Sequence, residues 1–541
     1  MTWPTIFDLK LGEFDAMELP GQQMAASQAP TFLDHLLNLD IKAIPACQRL
    51  TGIMASIGRA CFDVEIMERM IESGMNIAML NMSFGSREDQ VESIKMLRQA
   101  AKNFSITMGK NYPLGIAIRL SGRKIRTGRI ADTLGLNVEI KTGDSVKITT
   151  DETYKERCTA YTVYVDFMYL AEQLKKGDCI LLDNETIELK VESLTPTVLV
   201  CKVDRGGILG SYKDVFIPNV VLNMPNYSDK DIRDIDMAVH HQVDIIIATY
   251  VNTANNVTEL RNILGEKGKR IAIIANIQTM KGYQYFDDIL EVPNGIMITR
   301  QELGSDVSPK KLVIAQKNII ARANKANVPV FVSGHLLHSG IKNKIPIRAD
   351  LLDIANCVLD GADGLVLGPE TAVGNYPAEA IHYVSSTCKE AEACFWTREM
   401  LSESIDTTPL PCDHTYGIAI AGVITAQRCI AAAIVVVTTS GKSAQVLSKF
   451  KPRCPIIAVT RYPMIAKQLH MWRGVIPLLY EDPPESEWTR DVNKRIAFCV
   501  RWAREREFVR HGDSIVVITG KKPGSGFTNA MKVVFAETDG I

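Results

Sequence analysis

Eight short apolar runs punctuate the chain, at residues 52–57, 77–80, 115–118, 244–248, 271–274, 295–298, 328–332 and 364–367. Each is followed by a small or polar residue and then by a stretch of helical period. Continuous Val, Ile, Leu and Met of this length suit strands buried on both faces, as in a parallel sheet covered by helices. Eight of them alternating with helices predict a closed (β/α)8 barrel. The helical period is clear after Ser83-Phe84-Gly85-Ser86, where Val91, Ile94, Leu97 and Ala101 recur at three- and four-residue spacings. Barrels of this kind place their chemistry at the C-terminal ends of the strands, so the residues just after each run are the ones to read.

The pattern changes after the third run. Residues 123–223 are strand-like, with turn signals at Lys141-Thr142-Gly143-Asp144, Lys176-Gly177-Asp178 and Asp183-Asn184, and helix-period segments are nearly absent. This predicts an all-β domain inserted into a barrel loop. The barrel then comprises residues 49–122 and 224–395, preceded by an N-terminal arm over 1–48 with some helix. A Pro-bearing stretch, Thr407-Thr408-Pro409-Leu410-Pro411, lies near the start of a last region, 396–541. Its buried runs at 433–437, 455–459, 475–479 and 514–518 alternate with helices and predict an open α/β domain.

Bulk properties narrow the class. A chain of 541 residues exceeds what one hydrophobic core organises. The formal net charge of −1 gives no electrostatic case for nucleic acid or an anionic membrane as partner. The twelve cysteines are scattered without a CxxC pair, which fits a reducing compartment better than a disulfide framework or a zinc site. The start lacks a basic segment followed by an apolar one, and no run approaches the roughly 18–20 apolar residues of a membrane span. The expectation is a soluble, cytoplasmic protein.

Two loops of the last region suit phosphate. Thr438-Thr439-Ser440-Gly441-Lys442-Ser443 follows a buried run and opens a helix, where free N–H groups and the helix dipole favour anions. It is not a Walker A loop, because Val436 stands where the first glycine is required. Residues 520–529 form a second glycine-rich basic loop that includes Gly524, Gly526 and Thr528. Trp488 and Arg495, seven residues apart, share one face of the helix between the loops. The simpler reading of both loops is that they are turns.

Several strings carry a family resemblance: NIAMLNMSFG, KIRTGRI, LGEKGKRI, NGIMITRQELG, NCVLDGADGLVLGPETAVGNYP, TTSGKSA, PIIAVTRYP and TGKKPGSGFTN. From about residue 48 to the end the chain resembles pyruvate kinases, whose plan is an arm, a barrel interrupted after strand three by a β-domain, and a C-terminal α/β domain. The resemblance implies the glycolytic reaction of phosphoenolpyruvate and ADP to pyruvate and ATP. It also implies Mg2+ and K+ as cofactors, a tetramer and, in responsive members, regulation by fructose 1,6-bisphosphate.

At the strand tips the chain departs from that family pattern. Asn276 stands in place of a phosphate-contacting lysine, and Gln278 in place of a metal-binding glutamate. Met79 replaces a nucleotide-phosphate arginine, Phe84 a nearby histidine, and Gly334 the threonine linked to enolate protonation. Glu302 replaces the second metal-binding aspartate. Asn81 and Ser83 match potassium ligands, whereas Arg119 and Leu120 replace an aspartate and a threonine there. Arg126 and Lys213 match basic residues on the nucleotide side of the cleft. Glu370 and Thr371 also match, although helix capping alone accounts for that pair. The effector-type elements match at Thr438, Ser440, Gly441, Lys442, Ser443, Trp488, Arg495, Gly524, Gly526 and Thr528. Thr439 departs there, standing where a strongly responsive form has lysine.

Losing one preorganised electrostatic donor typically costs on the order of 10²–10³ in turnover, so the resemblance implies a weakened or inactive barrel site beside a largely intact sugar-bisphosphate site. Both cation sites are expected to be weakened. Such a protein would act by binding ligands, or by joining catalytic subunits, in a tetramer that is either homomeric or mixed. An active, divergent pyruvate kinase is the alternative, with Arg119, Arg123 and Lys124 supplying the missing charge. A third reading is a repurposed cleft with His335 and His338 as new acid–base groups.

Overall fold

The structure is a computed structural model describing residues 23–536, except 47, 123–124, 184–185, 219, 221–224, 523 and 525. The first 22 residues of the arm, the turn residue Asn184 and the proposed charge substitutes Arg123 and Lys124 lie outside the described residues. Two short helices, Met24–Ser27 and Phe32–Leu37, lead into the barrel.

The eight barrel strands are Gly52–Ile57, Ile77–Asn81, Gly115–Arg119, Ile245–Ala248, Ala272–Ile277, Gly295–Thr299, Val330–Ser333 and Gly364–Leu367. They run parallel, neighbouring one another in chain order, and the last pairs with the first through Gly52 and Gly364. Side chains alternate between two faces, as a period of two requires. Ile53, Ala55, Ala78, Leu80, Ile273 and Ala275 pack outward with the helices. Met54, Ile77, Met79, Ala272, Ile274, Met297, Phe331 and Val366 belong to the other face and fill the barrel. Gly364 has to lack a side chain, because a Cβ there would stand 2.3 Å from the Phe331 ring. Outside, the helix Arg87–Thr107 starts from a capping box in which Ser86 and Asp89 exchange hydrogen bonds.

Between the third and fourth barrel strands lies a seven-stranded sheet with a separate two-stranded ribbon, Asn137–Ile140 with Gly207–Gly210. The sequence-predicted turns are present: Gly143 and Gly177 take left-handed conformations, and Asp144 N–H donates to the Lys141 carbonyl. Helix there is confined, among the described residues, to Leu170–Gln173 and two short 3-10 turns.

The C-terminal sheet orders its strands Val475–Leu479, Ile456–Thr460, Ala433–Val437, Ser514–Gly520 and Thr528–Phe535. The first four are parallel. The fifth is antiparallel and was not expected from sequence, because it is a half-exposed edge strand whose apolar residues are mostly not buried. This domain plugs the N-terminal end of the barrel: Leu469, Met471 and Trp472 join the barrel-filling cluster. Lys451 makes a buried ion pair with Asp363 at 2.8 Å, and Gln468 Nε2 donates to the Asp244 carbonyl at 3.0 Å. The opposite, C-terminal end stays open as a cleft. Among the described residues no helix is long and apolar enough to cross a membrane.

Candidate active-site cleft

A cleft of about 1580 Å³ opens at the C-terminal ends of the barrel strands. Met79, Asn81, Phe84, Arg119, Tyr250, Gln278, Glu302 and Ser333 line it, with Asp214 and Val215 of the inserted domain opposite.

Strand five supplies its floor. Ala272 and Ile274 fill the barrel, so Asn276 falls on the same inward face one step on, with Gln278 beyond it. Asn276 is fully buried, and its Oδ1 accepts a 2.7 Å hydrogen bond from the Thr299 hydroxyl on the next strand. Gln278 Oε1 accepts from Tyr250 N–H at 2.7 Å. A backbone N–H can only donate, which fixes the orientation of the Gln278 amide and turns its NH2 away from Tyr250. Neither Asn276 Nδ2 nor Gln278 Nε2 has a hydrogen-bond partner, and both atoms are buried. Each such group costs about 1–3 kcal/mol when left unsatisfied, so both donors call for an acceptor.

Across the mouth, Arg119 at the end of strand three reaches Glu302 on the helix Arg300–Asp306, with Nη2 3.3 Å from Oε1. The two side chains are only 13% and 22% exposed, and Glu302 Oε2 is buried without a partner. Tyr250 stands close by in a left-handed conformation; burial, then the Glu302 carboxylate, raise its phenol above its ordinary pKa. Asn81 and Ser83 are brought together, but by each other: Asn81 Oδ1 accepts from Ser83 N–H at 3.0 Å. Leu120 is buried and packs with the outer core.

The remaining sequence-predicted residues divide. Met79 is 2% exposed and closes the barrel interior, while Phe84 is exposed with the Arg126 guanidinium 5.3 Å from its ring. Arg126 is held by Asp214 at 3.2 Å and by the Ser83 carbonyl at 3.1 Å, and Lys213 by Asp183 at 3.0 Å. Neither belongs to the cleft lining, although the adjacent Ile125 and Asp214 do. Gly334 has φ +91°, and a Cβ there would meet Gln301 N at 3.0 Å. Its carbonyl accepts two bonds from Arg300, which Asp353 anchors at 2.6 Å.

Glu370 Oε2 accepts from Gly368 N–H and Thr371 Oγ1 donates to the Ser56 carbonyl, so both residues brace the loop after strand eight from inside it. His335 and His338 lie with ring centroids 5.5 Å apart, but both are exposed and outside the cleft lining. The expectation that they face the site is therefore corrected: Leu336 and Leu337 between them take the buried positions.

Sequence reasoning missed Thr299 and Tyr250, the partners that orient Asn276 and Gln278. Thr299 was legible as the first polar residue after an inward-facing Met297. Tyr250 offered no signal, since it acts through its backbone N–H.

In the C-terminal domain the two glycine-rich loops meet. Ser443 and Thr528 hydroxyls are 2.5 Å apart, and Gly441 N–H donates to Thr438 Oγ1 at 2.9 Å as the helix Lys442–Lys449 begins. Trp488 Nε1 donates to the Gly520 carbonyl at 2.8 Å, tying its helix to the second loop, and His414 bonds the Gly526 carbonyl. Thr439 is half-buried beside exposed Ser440 and Lys442; Gly524 is exposed. Arg495 is the exception. It is buried, lies 5.2 Å from the Trp488 ring and shares Asp491 with Arg461, while its Nε is buried without a partner.

Comparison with known proteins agrees with this architecture. Residues 48–381 match the family model described as pyruvate kinase, barrel domain, and residues 417–534 the one described as pyruvate kinase, alpha/beta domain. The chain is 42% identical to the Homo sapiens protein named Pyruvate kinase PKLR over 513 residues, which is 95% of this chain and 89% of that one. It is 35% identical to the Candida albicans pyruvate kinase over 508 residues, 93% of this chain and 99% of that one. The Schizosaccharomyces pombe pyruvate kinase is also 35% identical, over 91% of this chain and 96% of its own length. The chain belongs to the pyruvate kinase family.

Proposed function

We propose that this chain carries out the family's phosphoryl transfer from phosphoenolpyruvate to ADP poorly or not at all, and acts instead as a ligand-binding member of the family. The Arg119–Glu302 pair carries the proposal. Phosphoryl transfer depends on positioned cations around the transferring group. Here the carboxylate at the divalent-ion position is committed to a guanidinium that occupies the potassium region. Asn276, where family resemblance places a lysine, is a neutral amide hydrogen-bonded to Thr299. Met79 and Gly334 supply no charge or hydroxyl. Losses within one catalytic unit do not add, but each alone is of a severe class.

The C-terminal loops support the second half of the reading. The Ser443–Thr528 contact and the Trp488–Gly520 bond hold two phosphate-suited loops side by side, with Lys442 exposed at their edge. The proposed ligand is a sugar bisphosphate such as fructose 1,6-bisphosphate. Its effect would pass to partner subunits in a cytoplasmic tetramer, homomeric or mixed with catalytic chains. A coupled assay of pyruvate formation with Mg2+ and K+, with and without the bisphosphate, tests this: absent turnover together with a bisphosphate-dependent rise in Tm is the expected pair of results.

The alternative of an active, divergent enzyme rests on Arg119, a cation that does line the cleft. In that case Arg119→Asp lowers turnover. In the reading preferred here it does not, because Glu302 already neutralises that charge.

A further inference from the structure

The family's cations fit the barrel mouth badly, and the donor set shows why. Divalent and alkali ions need oxygen ligands with free lone pairs aimed at them. Asn81 Oδ1 already accepts from Ser83 N–H, Gln278 Oε1 from Tyr250 N–H and Glu302 Oε1 from Arg119, so each keeps only part of its lone-pair capacity for an ion. Glu302 Oε2 is the free anionic oxygen left over. Among the described residues no three His, Cys, Asp or Glu side chains are grouped to hold a metal ion. The Arg119 guanidinium, a donor with no lone pair, offers such an ion no ligand.

The same groups are well suited to an anion. Gln278 Nε2 and Asn276 Nδ2 are buried donors without partners, and Gln278 and Arg119 both line the cleft. A carboxylate accepts from such N–H groups directly, and its bond to a guanidinium is charge-assisted. The leftover Glu302 Oε2 is anionic and repels the ligand's carboxylate, which leaves Arg119 and Gln278 as the groups that hold it. We propose that the barrel mouth binds a small organic acid directly, through Gln278 and Arg119, with no requirement for a divalent or alkali cation. This rests on reading the mouth as a ligand site relieved of phosphoryl transfer. Arg119 and Gln278 are thus specificity residues: together they turn a site for cation-bridged acids into one that holds the acid itself.

Calorimetric titration of the full chain with oxalate, and separately with pyruvate, tests it in tetramethylammonium buffer containing EDTA, and again with Mg2+ and K+ added. The expected result is binding in EDTA whose Kd changes by less than about threefold on adding the cations. Gln278→Glu keeps the acceptor for Tyr250 N–H while replacing the free NH2 by oxygen. It should weaken binding in EDTA about tenfold or more, with a single cooperative thermal transition above the assay temperature as the control for folding. Arg119→Met should weaken it similarly. Binding that appears only with Mg2+ overturns the inference, as does the absence of binding under both conditions, or full affinity in both variants. None of these outcomes depends on turnover, which is read separately in the coupled assay, so the two readings fail independently.

Discussion

Arg119 Nη2 and Glu302 Oε1 meet at 3.3 Å across the mouth of the barrel, joining side chains 183 residues apart in the chain. Both are mostly buried, so removing one leaves the other as an unpaired charge in a poorly solvated place. Arg119→Met is expected to destabilise the protein by about 1–3 kcal/mol. Glu302→Gln in the same background should recover part of that loss, because the buried charge is then gone as well. Urea unfolding of both single variants and the double variant measures the coupling.

His470 makes stability depend on pH in a defined window. It sits at the junction of barrel and C-terminal domain, 5.8 Å from the Tyr112 ring, and burial lowers its pKa to about 4. The unfolded chain, with an ordinary imidazole near 6.5, therefore binds more protons between those values, and stability falls as the pH drops through them. Acidifying from pH 7 to 5 should cost about 2 kcal/mol from this group. The difference should vanish in His470→Gln when unfolding curves at the two pH values are compared.

Restoring a threonine at position 334 should not restore chemistry. Gly334 has φ +91° and its added Cβ would lie 3.0 Å from Gln301 N. Backbone strain of this kind costs on the order of 1–3 kcal/mol, so Gly334→Thr should lower Tm and leave turnover unimproved. A rise in pyruvate formation in that variant would show that the loop adapts and that the missing hydroxyl matters.

The two C-terminal loops should respond to a bisphosphate as one site. Ser443 and Thr528 touch at 2.5 Å, so a ligand on one loop is felt by the other. At about one hundred times its Kd the ligand would stabilise the fold by about 2.7 kcal/mol, which thermal shift resolves. Lys442→Met and Thr528→Val should each reduce that shift, and moderate salt should weaken it. Arg495→Met should reduce it too, since Asp491 is shared with Arg461 and leaves one positive charge of the pair uncompensated.

Much of the fold was legible because its strands announce themselves. Runs such as Gly295–Thr299 are buried on both faces, and eight of them alternating with helical stretches mark a covered parallel sheet. The strand Thr528–Phe535 was missed for the converse reason: its pattern is half-exposed, and it borrows its order from Ser514–Gly520. At the cleft, residue identities could be read, and with them the departures from the family pattern at Asn276, Gln278 and Arg119. What could not be read was who holds whom. The direction of the Gln278 amide depends on Tyr250 N–H, and the fate of the Arg119 charge on Glu302, contacts that exist only once the barrel has closed.

The most direct measurement of the central claim is turnover itself: pyruvate formed from phosphoenolpyruvate and ADP by the purified full chain, with Mg2+ and K+, with and without fructose 1,6-bisphosphate. A rate at least about 100-fold below that of an ordinary member of the family, in a folded sample whose Tm rises with the bisphosphate, is the predicted result. Turnover within about tenfold of the ordinary rate would contradict it and return Arg119 to the list of catalytic groups.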